Sequence, residues 1–363
     1  MPILFFLLLM FALICSHPAA AESRRLELAE VVGSHANLPT GQPSVWAPLA
    51  KGEDLFGPGV LMYTVRGDET LLQVGRYFDV GYNGITLANP KVDRWMPPPG
   101  TQVRIPLLHI YPGDHDGHPE LIINRAEMRL YYQRRDGWIE TYPIGVGREG
   151  YDTPLTDAKV VRKMANPTWY VPESIRKEDP SKPATVPPGP DNPLGTHAIY
   201  MTLPGYLIHG TNRPFGVGRR VSHGCIRLYP EDIVRLYRKV EPGLRVRIID
   251  RPAKAGWRGD QLYLEAHPTL KKKERGLLPG KASEAIEEAL RRRGGAQAAH
   301  VDWTLVEKMT RSPDGIPRVI GQLTREGGAV LAENAPPEVA APAPSRAATK
   351  VGKKQAAPPA AHR

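Results

Sequence analysis

The stretch Tyr206 to Leu228, reading YLIHGTNRPFGVGRRVSHGCIRL, constrains this chain more than any other. Its apolar start, Tyr206 to Ile208, predicts a buried strand that delivers His209 at its end, and Gly210 lets the backbone turn sharply there. Gly216, Gly218 and Gly224 then supply a flexible return to Cys225. A thiol and an imidazole brought together by the fold, with a third group fixing the imidazole tautomer, is the arrangement of nucleophilic catalysis. Cysteine needs that help, because a free thiol titrates near pH ~8.5 and only the thiolate attacks carbon. A lone cysteine is often no more than a small buried hydrophobe. Here Ser222, His223, Gly224 and Arg227 surround it with small and polar residues, the composition of a loop that carries function.

The compartment points the same way. Residues Pro2 to Ser16 are almost wholly apolar and lead to Ala19-Ala20-Ala21, so residues 1–21 read as a secretory signal peptide. The run is short for a membrane span. No Lys or Arg precedes it, which leaves open a start upstream of Met1, and Ile14 ahead of Cys15 does not fit a lipoprotein signal. Soluble export is expected. Of the 2 cysteines, only Cys225 would survive processing, and one thiol cannot close an internal disulfide. A leftover thiol in an oxidising compartment favours a chemical role. The formal net charge of +10 comes without an aromatic-basic motif that would read bases, so an anionic envelope polymer is expected as partner and nucleic acid is not.

Along the chain, residues 22–59 lack periodicity and read as a loosely docked arm. Residues 60–107 order as strand, helix, helix, strand, the size of a small module. His109 to His118 reads as a linker: Asp114, His115, Asp116 and His118 offer metal-ligand chemistry, but the flanking Pro112, Gly113, Gly117 and Pro119 make a solvated connection, and neither metal nor cofactor is assigned. Residues 119–250 are strand-rich, with candidates at 121–123, 128–132, 138–146, 196–201, 206–208 and 246–248 and a turn at Arg134-Arg135-Asp136-Gly137. The proline-rich run Asn166 to Pro193 is either a lid beside the cysteine or a plain surface loop. Pro230 to Val240 has helical spacing, as does Ser283 to Arg293 within a C-terminal extension at 251–332. Residues 333–363, rich in Ala, Pro and Lys, are expected to be disordered.

Two resemblances add to this. Tyr63-Thr64-Val65, Gly67-Asp68, Asn89-Pro90 and Pro99-Gly100 resemble a LysM domain, which implies a βααβ module that binds peptidoglycan sugars or serves as a folded spacer. His209-Gly210-Thr211, the block Ser222-His223-Gly224-Cys225-Ile226-Arg227-Leu228 and the run Pro188 to Gly195 resemble the L,D-transpeptidase (YkuD) domain. That likeness implies a mainly β fold, a YkuD-type β-sandwich preceded by the LysM-like module, in the manner of periplasmic enzymes of Gram-negative bacteria. By position it implies Cys225 as nucleophile and His209 as base, with a carbonyl near Gly210 orienting the ring. His223, Gly224 and Gly210 would shape the cysteine loop and oxyanion site, and Ser222 and Arg227 would lie near substrate. Arg227 has two open partners, a substrate carboxylate or a nearby acid such as Glu231 or Asp232.

The resemblance further implies acyl transfer from a peptidoglycan stem peptide. Cys225 takes the diaminopimelate carbonyl as a thioester, D-alanine leaves, and an amine of a second stem, an envelope lipoprotein lysine or water accepts the acyl group. Two alternatives stand beside it. A thiol hydrolase of the NlpC/P60 kind places cysteine before histidine, the reverse of the order here, and a non-catalytic wall-binding protein would not need the intact thiol and imidazole.

Overall fold

The structure is a computed structural model that describes residues 44–46, 49, 52–114, 116–294, 299–324 and 338–339. The expected signal peptide at 1–21, the arm up to residue 43, His115 and all but two residues of the 333–363 tail lie outside the described residues. No helix among the described residues is long and apolar enough to cross a membrane.

The front module has the order read from sequence. The strand Val60–Thr64 pairs antiparallel with Gln102–Pro106, and helices Leu71–Tyr77 and Gly81–Ala88 lie between them in the chain. Thr70 and Gln73 close a reciprocal capping box on the first helix, a device worth about 1 kcal/mol. The module is fixed to the next domain by backbone contact. Gly81 and Gly218 both have positive φ, and a Cβ on Gly218 would sit 2.3 Å from the Tyr82 nitrogen, so only glycine permits the approach. The Tyr82 amide donates to the Val217 carbonyl at 3.2 Å, and Arg76 grips Glu231 with two hydrogen bonds of 2.8 Å.

The strand-rich region forms one mixed sheet of nine strands. In spatial order these are Ser44–Trp46, Ile139–Pro143, Arg129–Gln133, Glu120–Asn124, Arg245–Ile249, Thr156–Ala165, His197–Met201, Leu207–His209 and Ile226–Arg227. The sheet curls until its ends meet. Gly145 bridges Arg227, and Val146–Gly147 pairs with Arg220–Ser222. Side chains from both halves, Leu121, Leu130 and Tyr142 with Ile199, Ile208 and Ile226, therefore share one core, sealed by Ile233 and Leu236 of the helix Pro230–Lys239. The ten-residue strand Thr156–Ala165 escapes sequence reading because a register shift between Val160 and Arg162 breaks its alternation.

Two expectations are corrected. The arm is not loosely docked at its end: Ser44–Trp46 extends the sheet beside Ile139–Pro143, and Leu55–Phe56 pairs with His109–Ile110 with both residues of each strand buried. The linker is likewise not solvated where it starts. Ile110 and Leu108 share a core with Tyr263 and Val319, while Tyr111 shares another with Ile122 and Tyr131, so this segment is clamped between the nine-stranded sheet and the C-terminal extension. That extension has its own four-stranded sheet of Ala253–Arg258, Gln261–Ala266, Arg318–Leu323 and Ala299–Val301, packed on helices Leu278–Arg292 and Trp303–Arg311.

Charges are sealed into this junction. The Lys254 ammonium lies 2.9 Å from Glu127, 3.1 Å from Glu265 and 2.9 Å from both the Ile110 carbonyl and the Tyr131 hydroxyl, with all three ionic side chains essentially buried. His267 donates through Nε2 to Glu265 at 2.7 Å. His109, Glu127 and Glu265 bring ligand atoms within 4.8 Å of one another, the spacing of a metal site, but the Lys254 ammonium stands where a cation would.

Candidate active site

His209 ends the strand Leu207–His209, and Arg227 ends the parallel neighbour Ile226–Arg227, with the two residues paired in register. Because side chains alternate along a strand, Ile208 and Ile226 face the core, and Leu207, His209 and Arg227 share the other face. Cys225, two residues before Arg227, stands beside Leu207 at the opening of this strand pair, with His209 and Arg227 at its other end.

The imidazole of His209 is buried, and its Nδ1 lies 2.6 Å from the Gly210 carbonyl. A carbonyl only accepts, so Nδ1 carries the proton and a neutral ring keeps its lone pair on Nε2. Burial, reinforced by the Arg227 charge, drives the ring down to about 3 against the pull of the Gly210 and Leu194 carbonyls. The expected carbonyl at Gly210 is therefore the tautomer-fixing group. Gly210 itself is needed for space and not for a left-handed turn. It does not have positive φ, and a Cβ there would meet Ile233 at 2.9 Å.

Cys225 is half-buried, with Sγ 3.7 Å from the Gly205 carbonyl. Burial pushes the thiol up, while the Leu207 backbone and Arg227 pull it back. The resting pair is thus neutral thiol and neutral imidazole. Gly224 has φ +105, and a Cβ there would sit 2.5 Å from the Tyr206 ring, so the loop requires glycine.

The other loop residues fall into two groups. Ser222, expected beside substrate, is buried: its hydroxyl donates to the Cys225 carbonyl at 2.6 Å and accepts the Gly224 amide at 3.1 Å. Its hydroxyl is thus engaged within the loop, and it commits the Gly224 amide there. His223 turns outward to Arg148, Glu178 and Tyr151. For Arg227 the acid alternative is removed. Glu231 pairs with Arg76 and Asp232 with Arg235, and among the described residues Arg227 makes no ion pair, while its Nε is buried without a partner.

Sequence reasoning missed the supports. The Thr153 hydroxyl donates to the Gly224 carbonyl at 2.7 Å and accepts the Gly147 amide at 3.2 Å, cradling the cysteine loop from across the chain. Asn192 is buried and pins the proline-rich run, donating to the carbonyls of Pro167, Val186 and Pro187 and accepting the Leu194 amide. Leu194 in turn presents its carbonyl to His209. The proline context flagged this run as unusual, whereas a single threonine carries no local signal.

Residues 118–248 match the family model described as the L,D-transpeptidase catalytic domain, YkuD. Among curated proteins, the chain is 35% identical over 288 residues to "Probable L,D-transpeptidase YcfS" of Escherichia coli strain K12, spanning 76% of this chain and 87% of that protein. It is 44% identical over 201 residues to "Probable L,D-transpeptidase YbiS" of the same strain, spanning 53% of this chain and 64% of that protein. With "Probable L,D-transpeptidase ErfK/SrfK", again of that strain, it shares 43% identity over 197 residues, 52% of this chain and 63% of that protein. The chain thus spans a little under two thirds of the length of the latter two relatives.

Proposed function

This chain belongs to the L,D-transpeptidase family, and from that premise we propose that it transfers peptidoglycan stem peptides through a thioester on Cys225. The observation that carries the reading is the half-buried thiol at the opening of the strand pair that His209 closes, whose ring has its proton fixed on Nδ1 by the Gly210 carbonyl.

In the first step the Cys225 proton passes to His209 Nε2 as sulfur bonds the carbonyl carbon of the diaminopimelate residue. The tetrahedral oxyanion is held by backbone amides of the cysteine loop. With the Gly224 amide committed to Ser222, the Cys225 amide is the donor assigned here, a contribution of about 3 kcal/mol. The bond to D-alanine then breaks, and the leaving nitrogen takes the proton back from His209. In the second step an amine attacks the thioester, His209 accepts its proton, and the thiol is restored. Arg227 pairs a substrate carboxylate, the role left to a guanidinium that no acid of the chain satisfies. The front module would hold the enzyme on glycan strands, and the working compartment would be the periplasm.

The test is incubation of the full chain with disaccharide-tetrapeptide, with and without a lipoprotein C-terminal peptide, followed by mass analysis. D-Alanine release with a cross-linked dimer or a peptide adduct is expected, and Cys225→Ser should abolish both. Shortened monomers alone would mean hydrolysis, and activity surviving in Cys225→Ser would overturn the mechanism.

A further inference from the structure

Glu178 makes contacts that the reaction above does not use. It is the last residue of the short helix Glu173–Glu178 in the proline-rich run, and three side chains from the cysteine side converge on its carboxylate. Arg148 Nη2 lies 2.6 Å and His223 Nε2 3.1 Å from Oε2, and the Tyr151 hydroxyl donates to Oε1. These side chains also brace one another, and Arg148 Nη2 lies 3.0 Å from His223 Nε2. The Arg148 guanidinium lies 4.3 Å from the centre of the Tyr151 ring, and that ring meets the His223 ring edge-on at 4.8 Å. All three belong to the frame of the nucleophile. The Arg148 amide donates to the Ser222 carbonyl at 2.9 Å, the segment that begins there ends at Thr153 on the Gly224 carbonyl, and His223 is two residues from Cys225.

This is a built carboxylate receptor, and Glu178 holds it loosely. The Arg148, Glu178 and His223 side chains are 42%, 36% and 31% exposed, and an ion pair that open to water is weakly held. Arg148 engages Glu178 through one nitrogen, leaving its Nε buried without a partner, where an arginine prefers to meet a carboxylate with two parallel bonds. A solute carboxylate can therefore take the place of Glu178 without rebuilding the site.

We propose that Arg148, Tyr151 and His223 form a carboxylate-binding subsite for the stem peptide, occupied in the free protein by the chain's own Glu178. The proposal rests on the stem-peptide reading above. The substrate carries several carboxylates, and entry of one of them would release the proline-rich segment from the cysteine loop. Arg227 serves a different carboxylate from its position on the strand beside His209.

Equilibrium binding tests this without turnover. The full chain carrying Cys225→Ala is titrated by calorimetry with the free tetrapeptide L-alanyl-γ-D-glutamyl-meso-diaminopimelyl-D-alanine. Parallel titrations use the tetrapeptide amidated at the terminal D-alanine, at the diaminopimelate side-chain carboxylate or at the D-glutamyl α-carboxylate. Removing an internal competitor tightens binding by the inverse of the open fraction, so Glu178→Gln is expected to lower Kd about threefold to tenfold. Arg148→Gln should raise Kd about tenfold or more, and keeps the test decisive if Glu178→Gln fails to fold. The amidated peptide that loses the Glu178→Gln gain identifies the carboxylate. Weaker or unchanged binding in Glu178→Gln would overturn the subsite, as would a gain that none of the three amidations removes or an Arg148→Gln variant that binds as the parent does. Failure of the enzymatic reading is seen separately, as absence of D-alanine release by the wild-type chain.

Discussion

Replacing Lys254 by Met should cost about 3–5 kcal/mol of stability at pH 7, the expected loss when one partner of a buried ionic cluster is removed. The lysine side chain is 2% exposed and faces Glu127 at 2.9 Å and Glu265 at 3.1 Å, themselves 2% and 0% exposed. Methionine fills nearly the same volume, so the loss is electrostatic and not a cavity. Several contacts survive: Asn124 and Tyr131 still donate to Glu127, and His267 and the Ile110 amide to Glu265, which keeps the loss inside that range. The pH dependence is the sharper test. Burial alone would push the Glu127 carboxyl up. Lys254, with help from His267 and Arg129, overcomes this and holds it at about 2 against an ordinary 4.5. A carboxyl held down in the folded state contributes stability that is complete above pH ~4.5 and is lost as pH falls towards about 2. In Lys254→Met that carboxyl takes up a proton at higher pH, so the gap between wild type and variant should shrink as the solution is acidified. Urea unfolding of both proteins from pH 7 to pH 4 measures this, and Glu127→Gln added to Lys254→Met should recover part of the loss. A deficit under about 1 kcal/mol at pH 7, or one that stays constant with pH, would refute the claim that a buried charge balance holds the junction together.

Four further outcomes follow from the site. Since His209 is held neutral down to about 3, the acid limb of kcat/KM should lie well below pH 6.5, and a limb near 6.5 would show that the resting ring is not the base. The same depression means that stability from neutral His209 is full above pH ~6.5 and lost as pH falls towards 3. Gly224→Ala should cost about 1–3 kcal/mol through its positive φ and should slow thiol labelling of Cys225 while the fold persists, measured by thermal unfolding and a chromogenic disulfide; unchanged labelling would contradict the loop strain. Asn192→Ala, which strips one buried amide from four backbone partners, should cost about 1–3 kcal/mol and speed proteolysis of the proline-rich run; equal cleavage of both proteins would show that this side chain is not the pin.

Short-range signals along the chain reach the immediate surroundings of the site and little further. A short apolar run sets the strand under His209, glycines at 216, 218 and 224 allow the return to the cysteine, and the small and polar residues around Cys225 mark a loop instead of a packed strand. The βααβ order and the helix after the cysteine also follow from spacing alone. The linker misled because prolines and glycines around residue 115 describe the chain there truthfully and say nothing of His109 and Ile110, which are buried by partners far along the chain. Folding in three dimensions is what pairs Lys254 with Glu127, sets Thr153 and Asn192 as supports on the two sides of the site and brings Glu178 against His223. Each depends on polar groups tens to more than a hundred residues apart. A charge or hydroxyl leaves no periodic trace of its partner, and water satisfies it equally well until folding takes that water away.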